Sequence, residues 1–305
     1  MAMNEWDAKK EEKIYLLPNL LTAGNLICGF LAILKILEGS ILRDSDTAGW
    51  IHTYENSLDF ILAAFVFDVL DGRLARFGGK ESMFGREFDS LADLISFGVA
   101  PALLVFEIVL YQFPHKIGWI VASIYLVCGA LRLARFNVLS TQYKGSNLEF
   151  TGFPIPAAAG LVCSITLLML YFYETDRELE KGWGKYILVV LLLFLSIMMF
   201  SKNLYPSFKG ITWKTKWTVP KFLFVVCILG LTIVYYKWML AVDFLGYLLY
   251  GFFRPFISKP LRKAIEEEEG DEEEEGEREG EEKEEGKNNH LKIIQKKENS
   301  DRISL

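Results

Sequence analysis

Long apolar stretches recur along the 305-residue chain and constrain its fold more than any other feature. Most are about 17–25 residues long, which is the length that an α-helix needs to cross the hydrocarbon core of a bilayer. Half of the chain is hydrophobic (51%). The sequence therefore predicts an all-α integral membrane protein with about eight transmembrane helices, over residues 17–38, 57–77, 85–112, 117–137, 154–173, 185–201, 219–237 and 239–254.

The apolar stretches and the charges between them divide the chain into three predicted parts. Residues 1–200 hold six spans and form a six-helix catalytic bundle. Residues 201–263 add a basic cytoplasmic loop and two extra C-terminal spans. Residues 264–305 are a tail in which 15 acids and two bases crowd into positions 266–286. Such a segment has almost nothing apolar to bury, so we expect it to be disordered.

Basic residues are distributed unevenly over the connecting segments. One set of segments carries 19 lysines and arginines, whereas the opposite set carries six. The more basic segments of a membrane protein stay on the cytoplasmic side. We therefore expect a multi-pass protein of the inner (cytoplasmic) membrane with both termini in the cytoplasm, and no nucleic-acid partner.

Four acidic residues lie within the second and third spans, where unpaired charges are costly. If both spans are helical, Asp68 and Asp71 share one face, and Asp89 and Asp93 share another. Carboxylates without nearby thiolate or imidazole select hard cations such as Mg²⁺ or Mn²⁺. Two such ions side by side are a common device for phosphoryl transfer. The pattern indicates a metal site for a diphosphate at the cytoplasmic surface, although structural ion pairs with Arg73, Arg76 and Arg86 are an alternative.

Small residues accompany the aspartates on the same helical faces. Gly72 and Ala75 lie beside Asp71, and Gly85 precedes Asp89 by one turn. Residues with so little side chain let a ligand approach the backbone closely. Arg76 adds a guanidinium that can pair with a phosphate oxygen.

The spacing Asp68-x2-Asp71-Gly72-x2-Ala75-Arg76-x8-Gly85-x3-Asp89-x3-Asp93 resembles the signature of the CDP-alcohol phosphatidyltransferase family. The resemblance implies a CDP-linked donor, transfer of its phosphoryl group to an alcohol, release of CMP and a homodimer. It also implies metal binding by Asp68, Asp71 and Asp89, with Asp93 sharing the metal or acting as general base. The donor-binding residues that it implies are Gly72, Ala75, Arg76, Ser82 and Gly85.

The segments 17–25, 129–137 and 150–159 together resemble the phosphatidylserine synthase branch of that family. This resemblance implies CDP-diacylglycerol as donor and L-serine as acceptor. Arg132 and Arg135 are three residues apart and are candidates to hold the serine carboxylate, although both could instead reach lipid phosphates. Asn19, Thr22 and Asn25 form a polar stripe that faces the donor or simply makes interhelical hydrogen bonds; we take Asn19 and Thr22 as donor-binding candidates.

Three alternatives remain at this point. In the first, the enzyme uses a different acceptor alcohol, such as glycerol phosphate, inositol phosphate or choline, or an archaeal ether lipid as donor. In the second, the protein is a cation transporter whose acids line an ion path. In the third, it is a scaffold without activity, which the presence of all the motif acids disfavours.

Overall fold

Helices account for nearly all of the described chain. The computed structural model describes residues 16–43, 47–77, 82–142, 150–176, 184–201, 204–205 and 219–254. The helices are α1 (Leu16–Leu42), α2 (Thr47–Phe77), α3 (Met83–Asp93), α4 (Ala100–Ile108), α5 (Ile117–Gln142), α6 (Ile155–Asp176), α7 (Gly184–Phe200), α8 (Val219–Val234) and α9 (Tyr236–Phe253). A π-helical segment, Leu94–Val99, joins α3 to α4, and 3₁₀ turns cover Leu110–Gln112 and Pro114–Lys116.

Several of these helices are long and apolar enough to cross a membrane. Four stretches of the described residues meet that criterion, namely Leu16–Leu42, Met83–Ile108, Ile117–Leu139 and Ile155–Tyr173. Tyr186–Phe200 is apolar but shorter. The membrane class of the protein follows from these helices, and helices also lie over the other predicted stretches.

The third predicted span contains a π-helical segment in addition to its α-helices. Proline at position 101 has no N–H to give to the carbonyl of Phe97, four residues earlier. The chain instead widens into the π-helical segment, where the Ala100 N–H donates to the Ile95 carbonyl. The Tyr125 hydroxyl donates to the Phe97 carbonyl at 3.1 Å, so α5 supplies the hydrogen bond that proline cannot.

One two-stranded sheet interrupts the all-helical prediction. The strands β1 (Phe150–Thr151) and β2 (Leu204–Tyr205) pair antiparallel, with Phe150 opposite Tyr205. The turn after β1 needs Gly152, whose φ is +85° and whose added Cβ would lie 2.3 Å from the Met199 carbonyl oxygen. Strands of two residues carry no periodic signal, so the sequence does not predict them.

The buried core runs between α1, α2, α4, α5, α6 and α7. Its largest fully buried side chains include Tyr54, Tyr125, Phe97 and Phe153. The Arg43 guanidinium closes the end of α1 by donating to the Tyr54 hydroxyl at 2.7 Å and by lying 4.3 Å from the centre of the Tyr111 ring. These contacts hold α1 against α2, the helix that carries Asp68 and Asp71.

The last two helices pack through aromatic and polar contacts. An added Cβ at Gly160 of α6 would lie 2.2 Å from the Phe244 ring of α9, and Phe244 also meets Phe65 edge-on. Asp243 of α9 accepts a hydrogen bond from Thr232 of α8 at 2.8 Å. That bond accounts for an acid in an otherwise apolar span.

Contacts divide the chain into two units. The first comprises Met1–Ser207 and Trp217–Phe252. The second comprises Phe208–Lys216 and Phe253–Leu305, of which the structure describes Phe253 and Arg254. The predicted disordered tail over 264–305 lies outside the described residues, and the predicted division at residues 200 and 263 stays a prediction.

Candidate functional site

Three carboxylates from two helices converge at one place. Asp68 and Asp71 of α2 and Asp89 of α3 each offer an oxygen, and these oxygens all lie within 4.8 Å of one another. Asp71 is buried, and the other two are partly buried. The helical spacing places Asp68 and Asp71 one turn apart, so both reach the same point opposite α3.

The fourth aspartate lies beside this group but outside it. Asp93 is 6% exposed and interacts electrostatically with Asp68, Asp89 and Asp71. Its Oδ1 accepts a hydrogen bond from Asn25 Nδ2 at 3.1 Å. Asp93 ends α3 at the start of the π-helical segment. Its position favours a role that differs from that of the three converging carboxylates.

Helix α1 holds two of the acids from the opposite side. The Thr22 hydroxyl donates to Asp71 Oδ2 at 2.7 Å, and Asn25 holds Asp93 as described above. Thr22 and Asn25 are 3% and 0% exposed, respectively. The polar stripe of α1 therefore orients the carboxylates, so the interhelical hydrogen bonds expected as an alternative to donor contact do exist.

The small residues open a space beside the acids. An added Cβ at Gly72 would meet nothing within 4 Å. At Gly85, an added Cβ would lie 3.0 Å from Ser82 Oγ and 3.1 Å from Asn19 Oδ1. Gly72 therefore borders open room, whereas Gly85 permits the close approach of α1 to the beginning of α3. Ala75 lies one turn after Asp71 on α2.

Ser82 and Asn19 meet at the beginning of α3. Ser82 is the N-cap, and its Oγ accepts from the Gly85 N–H at 2.9 Å. Asn19 Nδ2 is buried without a hydrogen-bond partner among the described residues. A buried donor of this kind calls for an acceptor, and a phosphate or sugar oxygen of a bound ligand supplies one.

The two arginines of α5 occupy different environments. Arg132 is 8% exposed, interacts electrostatically with Asp93, Tyr247 and Asp68, and lies 5.6 Å from the Phe136 ring centre. Arg135 is partly exposed. Arg132 thus belongs to the site and offsets part of its negative charge. The side chain of Arg76 lies outside the described residues, and Arg73 is exposed on α2.

The donor set fits a hard divalent cation. Three carboxylates supply only oxygen ligands, and their mutual separations allow one ion to bridge them. The bond from Thr22 to Asp71 fixes the orientation of one of these carboxylates in the way that outer hydrogen bonds do at known metal sites.

Asn25 was predicted only as part of a polar stripe, and Tyr247 and Ser96 were not predicted at the site. The spacing Asn19, Thr22, Asn25 already indicated a polar face in an apolar helix, but it gave no sign that Asn25 reaches Asp93. Tyr247 is far from the motif in sequence, and Ser96 is an ordinary residue of an apolar span. Tyr247 of α9 comes to the site through its electrostatic interaction with Arg132, and Ser96 through its hydrogen bond to the Asn25 carbonyl.

The helical frame and the converging acids define a membrane protein with a site suited to a divalent cation and an anionic ligand. A model of the CDP-alcohol phosphatidyltransferase family matches residues 15–248, and the chain belongs to that family.

Curated relatives cover most of the chain. It is 35% identical over 243 residues, 79% of this chain and 91% of the relative, to a CDP-diacylglycerol–serine O-phosphatidyltransferase of Helicobacter pylori. It is 34% identical over 193 residues to the protein of the same name from Bacillus subtilis, covering 63% of this chain and 91% of the relative. An archaetidylserine synthase of Methanothermobacter thermautotrophicus is 36% identical over 204 residues, covering 66% and 74% of the two chains.

Proposed function

We propose that the protein transfers the phosphatidyl group of CDP-diacylglycerol to the hydroxyl of L-serine, giving phosphatidylserine and CMP. The observation that carries the proposal is the convergence of the Asp68, Asp71 and Asp89 oxygens within 4.8 Å. Membership of the family supports a CDP-linked donor. The names of the relatives from two bacteria and one archaeon support serine as the acceptor.

Each residue of the site has a proposed role. Asp68, Asp71 and Asp89 hold divalent metal, Mg²⁺ or Mn²⁺ and two ions in the full site, which neutralises charge on the diphosphate of the donor. Asp93 lies beside these three carboxylates, where it would share the metal or receive the proton of the acceptor hydroxyl. Gly72 and Ala75 leave room for the nucleotide, and Asn19, Ser82, Gly85 and Arg76 line its path, with Thr22 acting through Asp71.

The proposed step balances without a covalent enzyme intermediate. The serine oxygen attacks the phosphorus that bears diacylglycerol, and its proton passes to Asp93. The bond from that phosphorus to the bridging oxygen of the diphosphate breaks, and CMP leaves with that oxygen. Arg132 lies beside Asp93, where its guanidinium can hold the serine carboxylate.

The proposal extends to the whole chain. All eight spans predicted from the sequence cross the inner membrane. Both termini and the site face the cytoplasm, where CDP-activated lipids are made. The active form is a homodimer, and the acidic tail is a solvated extension. The number of spans, their orientation and the dimer are supported by hydropathy, by charge distribution and by family resemblance.

An acceptor screen tests the function. The purified protein is incubated with CDP-diacylglycerol, Mg²⁺ or Mn²⁺, and labelled serine, glycerol 3-phosphate, inositol phosphate or choline, and the label in lipid is measured together with CMP. We expect serine alone to enter lipid. Incorporation of label from another alcohol would show that serine is not the acceptor. A preference for the CDP-activated archaeal ether lipid would show that CDP-diacylglycerol is not the donor.

The cation-transporter alternative has its own readout. Protein in sealed vesicles is assayed for divalent-cation flux, and we expect CMP release without flux. Flux that persists without donor or acceptor, together with no CMP, would overturn the proposal.

A further inference from the structure

Asn25 is a fully enclosed polar side chain of the site. It is 0% exposed, and its Nδ2 donates to Asp93 Oδ1 at 3.1 Å. A carboxylate presents only acceptor oxygens, so the carboxamide must keep its NH₂ group toward Asp93. The orientation of the Asn25 side chain is therefore fixed by its partner.

The backbone of Asn25 is fixed as well. Ser96 Oγ donates to the Asn25 carbonyl at 3.0 Å. One turn further along α1, an added Cβ at Gly29 would lie 2.8 Å from the Ser96 Cα. Helix α1 therefore touches the π-helical segment at backbone distance, and the carboxamide has little freedom to move.

The other end of the carboxamide lacks a hydrogen bond. Asn25 Oδ1 is buried and has no hydrogen-bond partner among the described residues. Buried carbonyl oxygens are almost always satisfied, so an acceptor held rigidly beside a candidate base calls for a donor from a ligand. The neighbouring Thr22 donates its hydroxyl proton to Asp71 and cannot donate to Asn25 Oδ1.

We propose that Asn25 Oδ1 accepts a hydrogen bond from the ammonium group of the hydroxyamino-acid acceptor, while Nδ2 of the same carboxamide orients Asp93. In serine, the ammonium and the hydroxyl are on adjacent carbons. A hydroxyl placed at Asp93 therefore brings the ammonium within reach of a group bonded to Asp93. Arg132 then binds the carboxylate of serine, Asp93 its hydroxyl and Asn25 its ammonium group, so each polar group of the acceptor has one partner. This inference rests on the proposed function and adds a specificity-determining residue to it.

The depth of Asn25 on α1 favours the acceptor over the nucleotide. Asn19, Thr22 and Asn25 follow one another along the helix and reach Gly85, Asp71 and Asp93, respectively. Asn19 lies at the beginning of α3, and Thr22 bonds Asp71, which is next to Gly72 and the open space there. Asn25 lies beside the acid that is outside the three-carboxylate group, so the small acceptor is its matching ligand.

The test compares serine with 3-hydroxypropionate, which has the same hydroxyl and carboxylate but no ammonium. We expect Asn25→Leu to raise the KM for serine by about 10- to 100-fold, as expected for a lost bond to a charged group. The KM for CDP-diacylglycerol and the Ki of 3-hydroxypropionate as a competitor of serine should each change by less than about threefold. Asn25→Ala serves as the second variant if the leucine is not accommodated, and CDP-diacylglycerol binding verifies folding.

Thr166→Val is the matched control, because Thr166 is equally buried and donates only to the Val162 carbonyl at 2.7 Å. It should leave the serine KM unchanged. Equal losses for serine and 3-hydroxypropionate in the Asn25 variants, or a change in the metal requirement alone, would overturn the inference, because the carboxamide would then only position Asp93 or bind metal. Wild-type protein that does not use serine at all would overturn the proposed function instead.

Discussion

The hydroxyl of Thr22 joins the first helix to the group of converging acids. Its hydrogen bond to Asp71 Oδ2 is 2.7 Å long and is buried, so the carboxylate is held in one orientation before any ligand arrives. Outer hydrogen bonds of this kind raise metal affinity by fixing the ligand. We therefore expect Thr22 to influence metal affinity through Asp71 rather than by direct contact.

We predict that Thr22→Val raises the Mg²⁺ or Mn²⁺ concentration for half-maximal activity by about tenfold or more. Thr22→Ser keeps the hydroxyl and should restore a value near that of the wild type. A metal titration of CMP release measures both variants. Equal metal dependence in the valine and serine variants would contradict the assignment.

Asp89 of α3 supports a prediction with a larger expected effect on activity. Asp89→Asn removes a charge from the three-carboxylate group and should lower the rate of CMP release by at least about 100-fold. The folded state should survive, because one of three mutually repelling carboxylates is neutralised.

The control for Asp89→Asn is Asp59→Asn, which removes an acid that is exposed on α2. Its activity should stay within about twofold of wild type. Activity is measured at saturating metal, and a thermal melt in detergent verifies the fold. If Asp89→Asn retained wild-type turnover, the metal assignment would be wrong.

At the scale of the elements, the joint between α3 and α4 depends on a hydrogen bond from α5. The Tyr125 hydroxyl donates to the Phe97 carbonyl, which proline at position 101 leaves without its usual partner. We predict that Tyr125→Phe lowers the free energy of unfolding by about 1–3 kcal/mol.

Detergent-phase melting measures the effect of Tyr125→Phe. Tyr111→Phe, at an exposed tyrosine that keeps its ring beside Arg43, is the control and should melt like wild type. Equal melting temperatures for the two variants would show that another donor satisfies the Phe97 carbonyl.

The contact between α6 and α9 gives a second test at this scale. A methyl group added at Gly160 would overlap the Phe244 ring at 2.2 Å, so Gly160→Ala should destabilise the protein by about 1–3 kcal/mol. Gly246→Ala adds the same group on α9 where nothing lies within 4 Å, and it should be neutral or slightly stabilising.

Truncation of the ring tests the cause of the Gly160 effect. Phe244→Ala combined with Gly160→Ala should cost less than the sum of the two single changes, because the overlap is removed. Additive effects in a thermal-melt cycle would mean that α9 does not pack against Gly160.

At the scale of the whole molecule, topology is the remaining prediction. Position 9 and position 82 should be accessible to a membrane-impermeant thiol reagent only from the cytoplasmic side, and position 43 or 237 only from the opposite side. The measurement uses single cysteines at these positions in a chain whose four natural cysteines are replaced. Labelling of positions 9 and 43 from the same side would contradict the proposed orientation.

The sequence predicted the parts of the molecule that follow from periodicity and spacing. Apolar length located the helices. The i, i+3 spacing of Asp68 and Asp71 and the i, i+4 spacing of Asp89 and Asp93 predicted acids that share one site, and the oxygens of Asp68, Asp71 and Asp89 lie within 4.8 Å of one another. Spacing put Asp93 on the same face as Asp89, and the family resemblance gave it a share in the metal or the role of general base, but neither indicated the hydrogen bond from Asn25. The π-helical segment was missed for a related reason: it contains no residue type that distinguishes it from an α-helix.

Long-range partners were beyond the reach of local patterns. The separations of Asn25 from Asp93, of Tyr125 from Phe97 and of Arg132 from Tyr247 in sequence exceed any helical repeat. The predicted appendage of two C-terminal spans also depends on such contacts, because Tyr247 of α9 interacts with Arg132 of the site.

The π-helical segment has a consequence for how this chain can evolve. Deleting one residue between Leu94 and Val99 would let the backbone relax into an ordinary α-helix, which loses no apolar character and still traverses the lipid. A π-helical turn takes in one residue more than an α-helical turn, so the helices before and after the deletion would keep nearly the same orientation toward one another. If the deleted residue is Leu94 or Ile95, however, Asp93 and Ser96 become two residues apart, which is about 200° around an α-helix, and both can no longer meet Asn25. A single-codon loss that a hydropathy profile would not detect should therefore remove the hydrogen bond from Ser96 to α1 and lower turnover, whereas conservative substitutions of the apolar residues in the same stretch should be tolerated.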